Sequence, residues 1–290
     1  MVGLAGAGSG ALVACGEGTA EARPAGDAAS STAGAARPSG PLPLDLAGDF
    51  MQSGTVLGRS IPGARILLDD VATTADAAGR FIIGFDRDAP PAALLTVTAP
   101  DGRSVSRSLQ VAPKTWRVTS VSGLPGRTVN PPAEARARIE RESALKQRAY
   151  ASEDPIGTGF AETFDWPLAA VRVTSPWGAQ RQLNGTLQRP HYGVDLGAAT
   201  GTPIRAPAPG LVIIAESDLY FEGGMVALDH GQGLITTYLH MSRVDVRVGQ
   251  RLVRGDQLGA VGARGRATGP HLCWRMRWRG RQCDPSLRTA

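Results

Sequence analysis

Residues 191–212 read HYGVDLGAATGTPIRAPAPGLV, a run in which short apolar stretches are separated by glycine and proline. Such close punctuation is typical of short strands joined by tight turns. On an extended segment alternate side chains share a face, so His191 and Asp195 point the same way and can converge on one metal ion. The H-x-x-x-D spacing is weak evidence alone, because it occurs by chance in many proteins. The stretch predicts strands that carry a candidate pair of metal ligands.

The same strand-and-turn pattern continues from about Phe160 to the end of the chain, with almost no helical periodicity. It predicts an all-β domain over residues 160–290. His230 lies in the segment LDHGQG, which is typical of a hairpin turn, so we expect it at the surface. The four histidines of the chain all lie in this domain, at His191, His230, His240 and His271.

The part of the chain before this domain predicts two further units. Residues 50–124 hold short β-branched runs separated by PG, DG and AAG turns, which indicates a small antiparallel β-sandwich of immunoglobulin-like shape. Residues 125–158 are rich in Ala, Arg, Glu, Leu and Lys, as in a solvated helix with i, i+4 charge pairs. Its sizeable apolar residues are few, namely Ile139, Leu145 and Tyr150. We therefore expect a helical connector rather than a core element.

The N-terminus indicates export. Residues 2–14 are uncharged and apolar or small, and they end in Leu-Val-Ala directly before Cys15. This ending resembles the lipobox of bacterial lipoproteins, which implies an export signal over residues 1–15 and a lipid anchor on Cys15, although no Lys or Arg precedes the apolar stretch. The other interpretation is a floppy terminus with a chance cysteine. Residues 16–48 are predicted to be a disordered tether, so we expect a protein anchored to a membrane in the cell envelope or periplasm.

The charge balance indicates what partners the chain can have. A net charge of +5 suits a polyanionic partner such as nucleic acid, an anionic membrane or an acidic cell wall. No basic run is interleaved with aromatic residues and no nucleic-acid module is recognisable, so we expect no nucleic-acid partner. Three cysteines without C-x-x-C spacing exclude a disulfide-dense scaffold.

A second stretch, TGPHLCWRM over residues 268–276, places His271 and Cys273 on one face of a strand. Cys273 could bind a metal, form a disulfide with Cys283, or pack without ligand. A hairpin at Arg279–Gly280 would put Cys283 opposite Met276 and so disfavours the disulfide. A longer loop would change that register, so the three interpretations stay open.

At this point the C-terminal segment, about residues 165–287, resembles the lysostaphin-type (LytM-type) zinc endopeptidases, which cut peptidoglycan peptides. The H-x-G-x-D motif and the GTPI-x-AP-x-x-G-x-V motif lie within residues 191–212, and a Y-x-H motif lies at Tyr238–His240. A glycine-rich run over residues 253–272 and a closing Asp-Pro pair are also similar. The resemblance implies an antiparallel β peptidase domain of lysostaphin type.

The resemblance also implies roles for individual residues. One Zn2+ per chain would be held by His191, Asp195 and the residue at 273, where the family has histidine and this chain has Cys273. His240 and His271 would be the catalytic groups. A thiolate makes the zinc centre formally neutral, so we expect metal binding to survive with catalysis weaker or tuned to higher pH.

The implied activity is zinc-dependent hydrolysis of peptide cross-links or stem peptides in peptidoglycan. The alternative is a degenerate peptidase fold that binds cell wall or activates another wall hydrolase, with that hydrolase or a divisome protein as partner. Tyr238 and Arg275 are candidate groove residues for the substrate. Arg277 and Arg279 follow Arg275 in alternation and are typical of a solvated sheet face.

Overall fold

A computed structural model describes residues 40–121, 132–183 and 186–290. The predicted export signal, Cys15 and the tether up to residue 39 lie outside the described residues. None of the helices in the described part of the chain is long and apolar enough to cross a membrane.

The N-terminal part consists of two antiparallel sheets, ordered β1-β2-β5 and β4-β3-β6-β7. Alternate residues turn inward, so that Leu95 and Val97 are fully buried while Leu94 is exposed. The predicted β-strands are present; the immunoglobulin-like shape stays a prediction. The strands are β1 Asp45–Gly48, β2 Thr55–Arg59, β3 Arg65–Leu68, β4 Val71–Thr74, β5 Arg80–Gly84, β6 Ala92–Thr98 and β7 Ser104–Gln110.

Both ends of this part differ from the prediction. The tether does not extend to residue 48, because Leu42 and Leu44 are buried in the core and β1 pairs with β2. Strand β8, Val118–Val121, does not join the sandwich; it pairs in parallel with a strand of the C-terminal part, β10, Gln180–Leu183. Trp116, just before β8, packs against Trp177 at 5.3 Å between ring centroids, which draws this segment to the C-terminal part.

Helix α1, Arg136–Tyr150, lies within the predicted connector. It is more than a solvated link, because Leu145, Ala149 and Tyr150 pack against an apolar cluster on the C-terminal sheet. Charge pairs such as Arg138 with Glu142 lie along the helix, as the pattern predicts. The helix therefore covers one face of the sheet.

An antiparallel sheet dominates the C-terminal part, in the order β18-β14-β15-β16-β20-β12-β9, with β21 paired to β20. Two three-stranded sheets, β13-β19-β17 and β11-β10-β8, flank it. The all-β prediction is confirmed. The remaining strands are β9 Val173–Ser175, β11 Thr186–Leu187, β12 Val194–Gly197, β13 Pro203–Arg205, β14 Gly210–Leu219, β15 Gly223–Asp229, β16 Leu234–Met241, β17 Arg243–Val244, β18 Arg251–Leu252, β19 Gln257–Ala260, β20 His271–Trp278 and β21 Arg281–Cys283.

The described residues from Gly40 to Ala290 belong to one compact unit. Trp274 and Trp278 of β20 are fully buried in a core that also contains Phe81 and Phe85 of the N-terminal part. Burial of large aromatic side chains from both parts stabilises this junction.

Both described cysteines are buried and free. The hairpin after β20 places Cys283 opposite Met276, as the sequence predicts. Cys273 lies opposite Asp195 across β12 and β20 instead. The disulfide interpretation is therefore wrong, because the register separates the two thiols.

Candidate metal centre

Two neighbouring strands bring three ligand-type side chains together. β12 carries Asp195 directly opposite Cys273 of β20, and His191 lies just before β12 on the same face. The candidate ligand atoms of these three residues all lie within 4.8 Å of one another. The pairing of β12 with β20 therefore assembles a cluster from residues that are about 80 positions apart in sequence.

The distances within this cluster fit a zinc ion. The Nε2 atom of His191 lies 3.3 Å from the Sγ atom of Cys273 and 3.3 Å from the Oδ1 atom of Asp195. Ligands at zinc bond lengths in a tetrahedron are separated by roughly 3.3–3.6 Å, so the contacts match two of its edges. The Oδ1 atom of Asp195 is buried and makes no hydrogen bond in the described part of the chain. A buried carboxylate oxygen without a hydrogen bond fits a metal ligand.

Cys273 is fully buried, and this burial raises the pKa of its thiol to about 11. The Nε–H group of Arg275 donates a hydrogen bond to its Sγ atom at 3.3 Å. Zinc binds the thiolate rather than the thiol, so metal binding here includes the release of a proton.

The glycine of the H-x-G-x-D motif makes room for this arrangement. A Cβ atom on Gly193 would lie 2.7 Å from the Sγ atom of Cys273 and 3.0 Å from the Cγ atom of Arg275. Both distances are too short for an ordinary contact, so any side chain at this position would displace the thiol or the arginine.

Two further histidines lie beside the cluster. The rings of His240 and His271 are 4.8 Å apart, and the Nε2 atom of His271 is 3.7 Å from the Oδ1 atom of Asp195. The Nδ1–H of His240 donates to the Arg264 carbonyl at 2.9 Å, and the Nδ1–H of His271 donates to the Gly269 carbonyl at 2.8 Å. Carbonyls only accept, so in each neutral ring Nε2 is the basic nitrogen. One loop thus sets the tautomer of both histidines.

His240 reaches this position through a β-bulge. Met225 on β15 lies opposite both Leu239 and His240, and His240 has a φ of 67°, which few non-glycine residues adopt. Because a bulge adds one residue to the strand, it breaks the alternation that would put His240 on the same face as Tyr238. Burial lowers the pKa of His240 to about 4, so the imidazole is neutral at neutral pH.

Two sequence predictions at this site are wrong. Tyr238 does not line a groove; it is fully buried opposite Trp274, and its hydroxyl is 2.9 Å from the Thr236 hydroxyl. His230 is not a surface turn residue. It is fully buried, with its ring nitrogens 2.7 Å from the Pro209 carbonyl and 2.8 Å from the Thr236 hydroxyl. Backbone and hydroxyl partners within the fold make burial of this imidazole favourable, which a turn motif in the sequence does not reveal.

The arginines at positions 275, 277 and 279, in β20 and the turn after it, do not form a solvated row. Arg275 contacts the thiol, and Arg277 stacks on the ring of Tyr150 with 3.8 Å between its guanidinium carbon and the ring centroid. Arg279 pairs with Glu153 at 2.6 Å. Arg277 and Arg279 have these partners because Tyr150 ends helix α1 and Glu153 lies in the segment just after it.

Comparisons with known proteins agree with this geometry. The model for Peptidase family M23 matches residues 189–285, which include every residue of the cluster and both adjacent histidines. The crystal structure of a Pseudomonas aeruginosa protein described as a peptidase M23 is 30% identical; the alignment covers 82% of this chain and 93% of that one, with a TM-score of 0.63.

Named relatives match over part of the chain. A metalloprotease of Haemophilus influenzae is 38% identical over 138 residues, 46% of this chain and 28% of that protein. Peptidoglycan DD-endopeptidase ShyA of Vibrio cholerae is 38% identical over 103 residues, 35% of this chain and 24% of that protein. The chain thus spans about a quarter of the length of these two relatives.

Together these findings indicate an all-β metallopeptidase. The chain belongs to peptidase family M23, and the resemblance predicted from its motifs is confirmed.

Proposed function

We propose that this protein is a zinc-dependent endopeptidase that hydrolyses peptide cross-links or stem peptides of peptidoglycan. The proposal rests above all on the close approach of His191, Asp195 and Cys273 at distances that fit zinc. Relatives named as peptidoglycan DD-endopeptidases support the substrate class. When bound, zinc supplies Lewis-acid polarisation of a carbonyl and a water of lowered pKa.

In this proposal different residues bind the metal and transfer protons. His191, Asp195 and Cys273 hold the ion. His240 and His271 each offer a basic Nε2 atom, because their Nδ1–H groups are held by backbone carbonyls. A neutral imidazole can accept a proton from water or donate a hydrogen bond to the developing oxyanion once protonated. The carbonyls of Arg264 and Gly269 fix the rings and limit the reorganisation that either step requires.

We also propose that the protein acts in the cell envelope, anchored to a membrane through Cys15. This follows from the substrate class and from the lipobox-like ending of residues 1–15, which lie outside the described residues. A relative named Cell division protein DipM, from Caulobacter vibrioides, is 31% identical over 163 residues and makes a divisome partner a reasonable hypothesis.

The first test measures zinc and activity on the same preparation. We expect about one zinc ion per chain without added metal, and loss of turbidity of purified cell walls that a chelator stops. His191→Ala should abolish both, while Asp218→Asn, a change in an exposed carboxylate, should alter neither. Bound zinc with intact cell walls would support the non-catalytic alternative. Absence of zinc from the parent protein would contradict the metal site itself.

A second test addresses the neighbouring histidines. His240→Ala should lower the rate of cell-wall hydrolysis by roughly 10²–10⁴-fold, the usual contribution of a general acid or base, with zinc content unchanged. The reason is that the ring lies beside the cluster without being one of its three ligand-type side chains. A variant that keeps full activity would show that His240 has no part in proton transfer.

A further inference from the structure

The thiol of Cys273 has a cation directly beside it. The Nε–H group of Arg275 donates to its Sγ atom at 3.3 Å, the same distance that separates this sulfur from the Nε2 atom of His191. Because Arg275 follows two residues after Cys273 on β20, both side chains lie on the same face of the sheet. The sulfur thus lies between a candidate co-ligand and an arginine.

Arg275 makes this contact in preference to a carboxylate. In the described part of the chain, no Asp or Glu oxygen lies within 4.0 Å of its guanidinium, whereas Arg279 pairs with Glu153 and Arg281 pairs with Asp69 and Asp70. The nearby carboxylate of Glu222 is instead paired with Lys146 of helix α1 at 2.5 Å. The sulfur is therefore the acceptor that the fold provides for the Nε–H group of Arg275.

The stem of the arginine is also held in place. Its Cγ atom lies where a Cβ atom on Gly193 would approach to 3.0 Å, so the side chain runs directly over the glycine of the H-x-G-x-D motif. Arg275 is half-buried, and its positive charge interacts favourably with the carboxylate of Glu222. An arginine fixed in this way loses little further entropy when it acts on its neighbour.

The formal charge of the metal site explains why an arginine beside the sulfur is useful. With two neutral histidines and one aspartate a zinc centre carries a formal charge of +1, whereas with a thiolate in place of one histidine it is neutral. A thiolate also donates more electron density to the metal, which weakens its Lewis acidity. A charge-assisted hydrogen bond from guanidinium to sulfur withdraws part of that density and returns one positive charge to the site.

We propose that Arg275 is a positioning residue that compensates for the cysteine ligand: its guanidinium holds the Cys273 sulfur and offsets the negative charge that the thiolate brings to the metal. The inference rests on the proposed function, because it takes Cys273 as a ligand. It assigns Arg275 to the metal site and not to substrate binding. Cys273 and Arg275 then act as one unit that replaces a histidine.

Cobalt substitution tests this assignment by a spectrum instead of by activity. The zinc in the full chain is exchanged for Co2+, and the sulfur-to-cobalt charge-transfer band is recorded for the parent protein and its variants. Loss of a hydrogen bond to sulfur raises the energy of its lone pairs, so Arg275→Gln should shift the band to longer wavelength. Arg275→Met, which keeps the apolar stem, should give the same shift and serves if the Gln variant does not fold. Arg275→Lys should restore the band toward the parent position.

Arg277→Gln is the matched control, because Arg277 lies on the same strand and stacks on Tyr150 without touching the sulfur. Its band should coincide with that of the parent. If the bands of both Arg275→Gln and Arg275→Met coincide with that of the parent, the role of Arg275 is overturned while the metal site still stands. Cobalt bound to the parent without any charge-transfer band would overturn the cysteine ligand, and the role of Arg275 with it.

Activity provides a second readout through a double-mutant cycle. Arg275→Gln should lower the zinc-dependent rate by roughly 10–100-fold, the usual effect of a residue that orients a metal ligand. In a Cys273→His background the same change should have little effect, because the thiolate that Arg275 compensates is gone. An equal loss in both backgrounds would contradict the proposal and assign Arg275 to the substrate.

Discussion

Single residues in this protein obey strand alternation except where the backbone departs from a regular strand. Alternation correctly places His271 and Cys273 on one face of β20, since both lie close to Asp195. It fails at His240, where a bulge and a left-handed φ turn the side chain away from the face of Tyr238. Nothing in the Y-x-H motif signals that extra residue, because a bulge depends on pairing with β15.

Gly193 provides a prediction at this scale. Gly193→Ala should reduce zinc affinity by roughly 10-fold or more, because the added Cβ would lie 2.7 Å from the Cys273 sulfur and force the ligand to move. Competition with a chromophoric chelator measures the change.

Gly269→Ala is the control for this variant, since a Cβ there meets no atom within 4 Å. Equal zinc affinity in the two alanine variants would mean that the cluster tolerates displacement of its sulfur.

At the scale of elements, helix α1 shows what a charge pattern can and cannot predict. Its alternating charges indicate a helix, and pairs such as Arg138 with Glu142 form as expected. Its packing is not visible in the pattern, because its apolar contacts with the sheet come from a narrow strip that contains Leu145, Ala149 and Tyr150. Lys146 adds an ion pair with Glu222, whose backbone carbonyl accepts from the His240 amide at 2.8 Å. The helix thereby supports the strand that carries a candidate catalytic residue.

Replacing Leu145 tests whether this packing stabilises the fold. Leu145→Ala should lower the free energy of unfolding by about 1–2 kcal/mol, less than for a fully buried leucine, because the side chain is only partly buried. Urea unfolding measures the difference.

Gln147→Ala on the exposed side of the same helix is the matched control and should change stability by less than about 0.5 kcal/mol. Equal effects of the two substitutions would mean that α1 is a solvated connector after all.

At the scale of the whole molecule, the N-terminal sheets and the C-terminal part share one core. A Cβ on Gly84 would lie 2.8 Å from the Cys283 sulfur and 3.1 Å from the Trp278 Cβ, so β5 packs directly against the last hairpin. Hydrogen bonds join the same surfaces, among them one from the Asp284 amide to the Ser53 carbonyl at 2.8 Å. The two parts therefore stabilise each other, which separate strand patterns in the sequence do not predict.

Stability of this unit should depend on pH through the buried His230. Burial lowers its pKa from 6.5 to about 4. Below pH 6.5 the His230 imidazole is protonated in the unfolded chain but stays neutral in the folded protein. The free energy of unfolding therefore falls as pH decreases from about 6.5 to about 4. The contribution is at most roughly 3–4 kcal/mol, by the conversion of about 1.4 kcal/mol per pKa unit.

His230→Gln should flatten the pH dependence of the urea midpoint in this window, while lowering stability at pH 7 through lost hydrogen bonds. Measuring parent and variant side by side cancels the other titrating groups. Parallel curves between pH 4 and pH 6.5 would show that His230 takes up its proton equally well when folded.

Sequence patterns predict the all-β class, a helix within residues 125–158, the opposition of Cys283 to Met276 if a hairpin forms at Arg279–Gly280, and the resemblance to the lysostaphin-type peptidases. These follow from local periodicity, turn residues and motif spacing, which depend on neighbours along the chain. Other features are visible only in the folded chain: His240 leaves the face of Tyr238, His230 is buried, Leu42 and Leu44 join the core, and Arg275 contacts Cys273. Each of these depends on pairing and packing between residues distant in sequence, and on the burial that results, which local patterns do not encode.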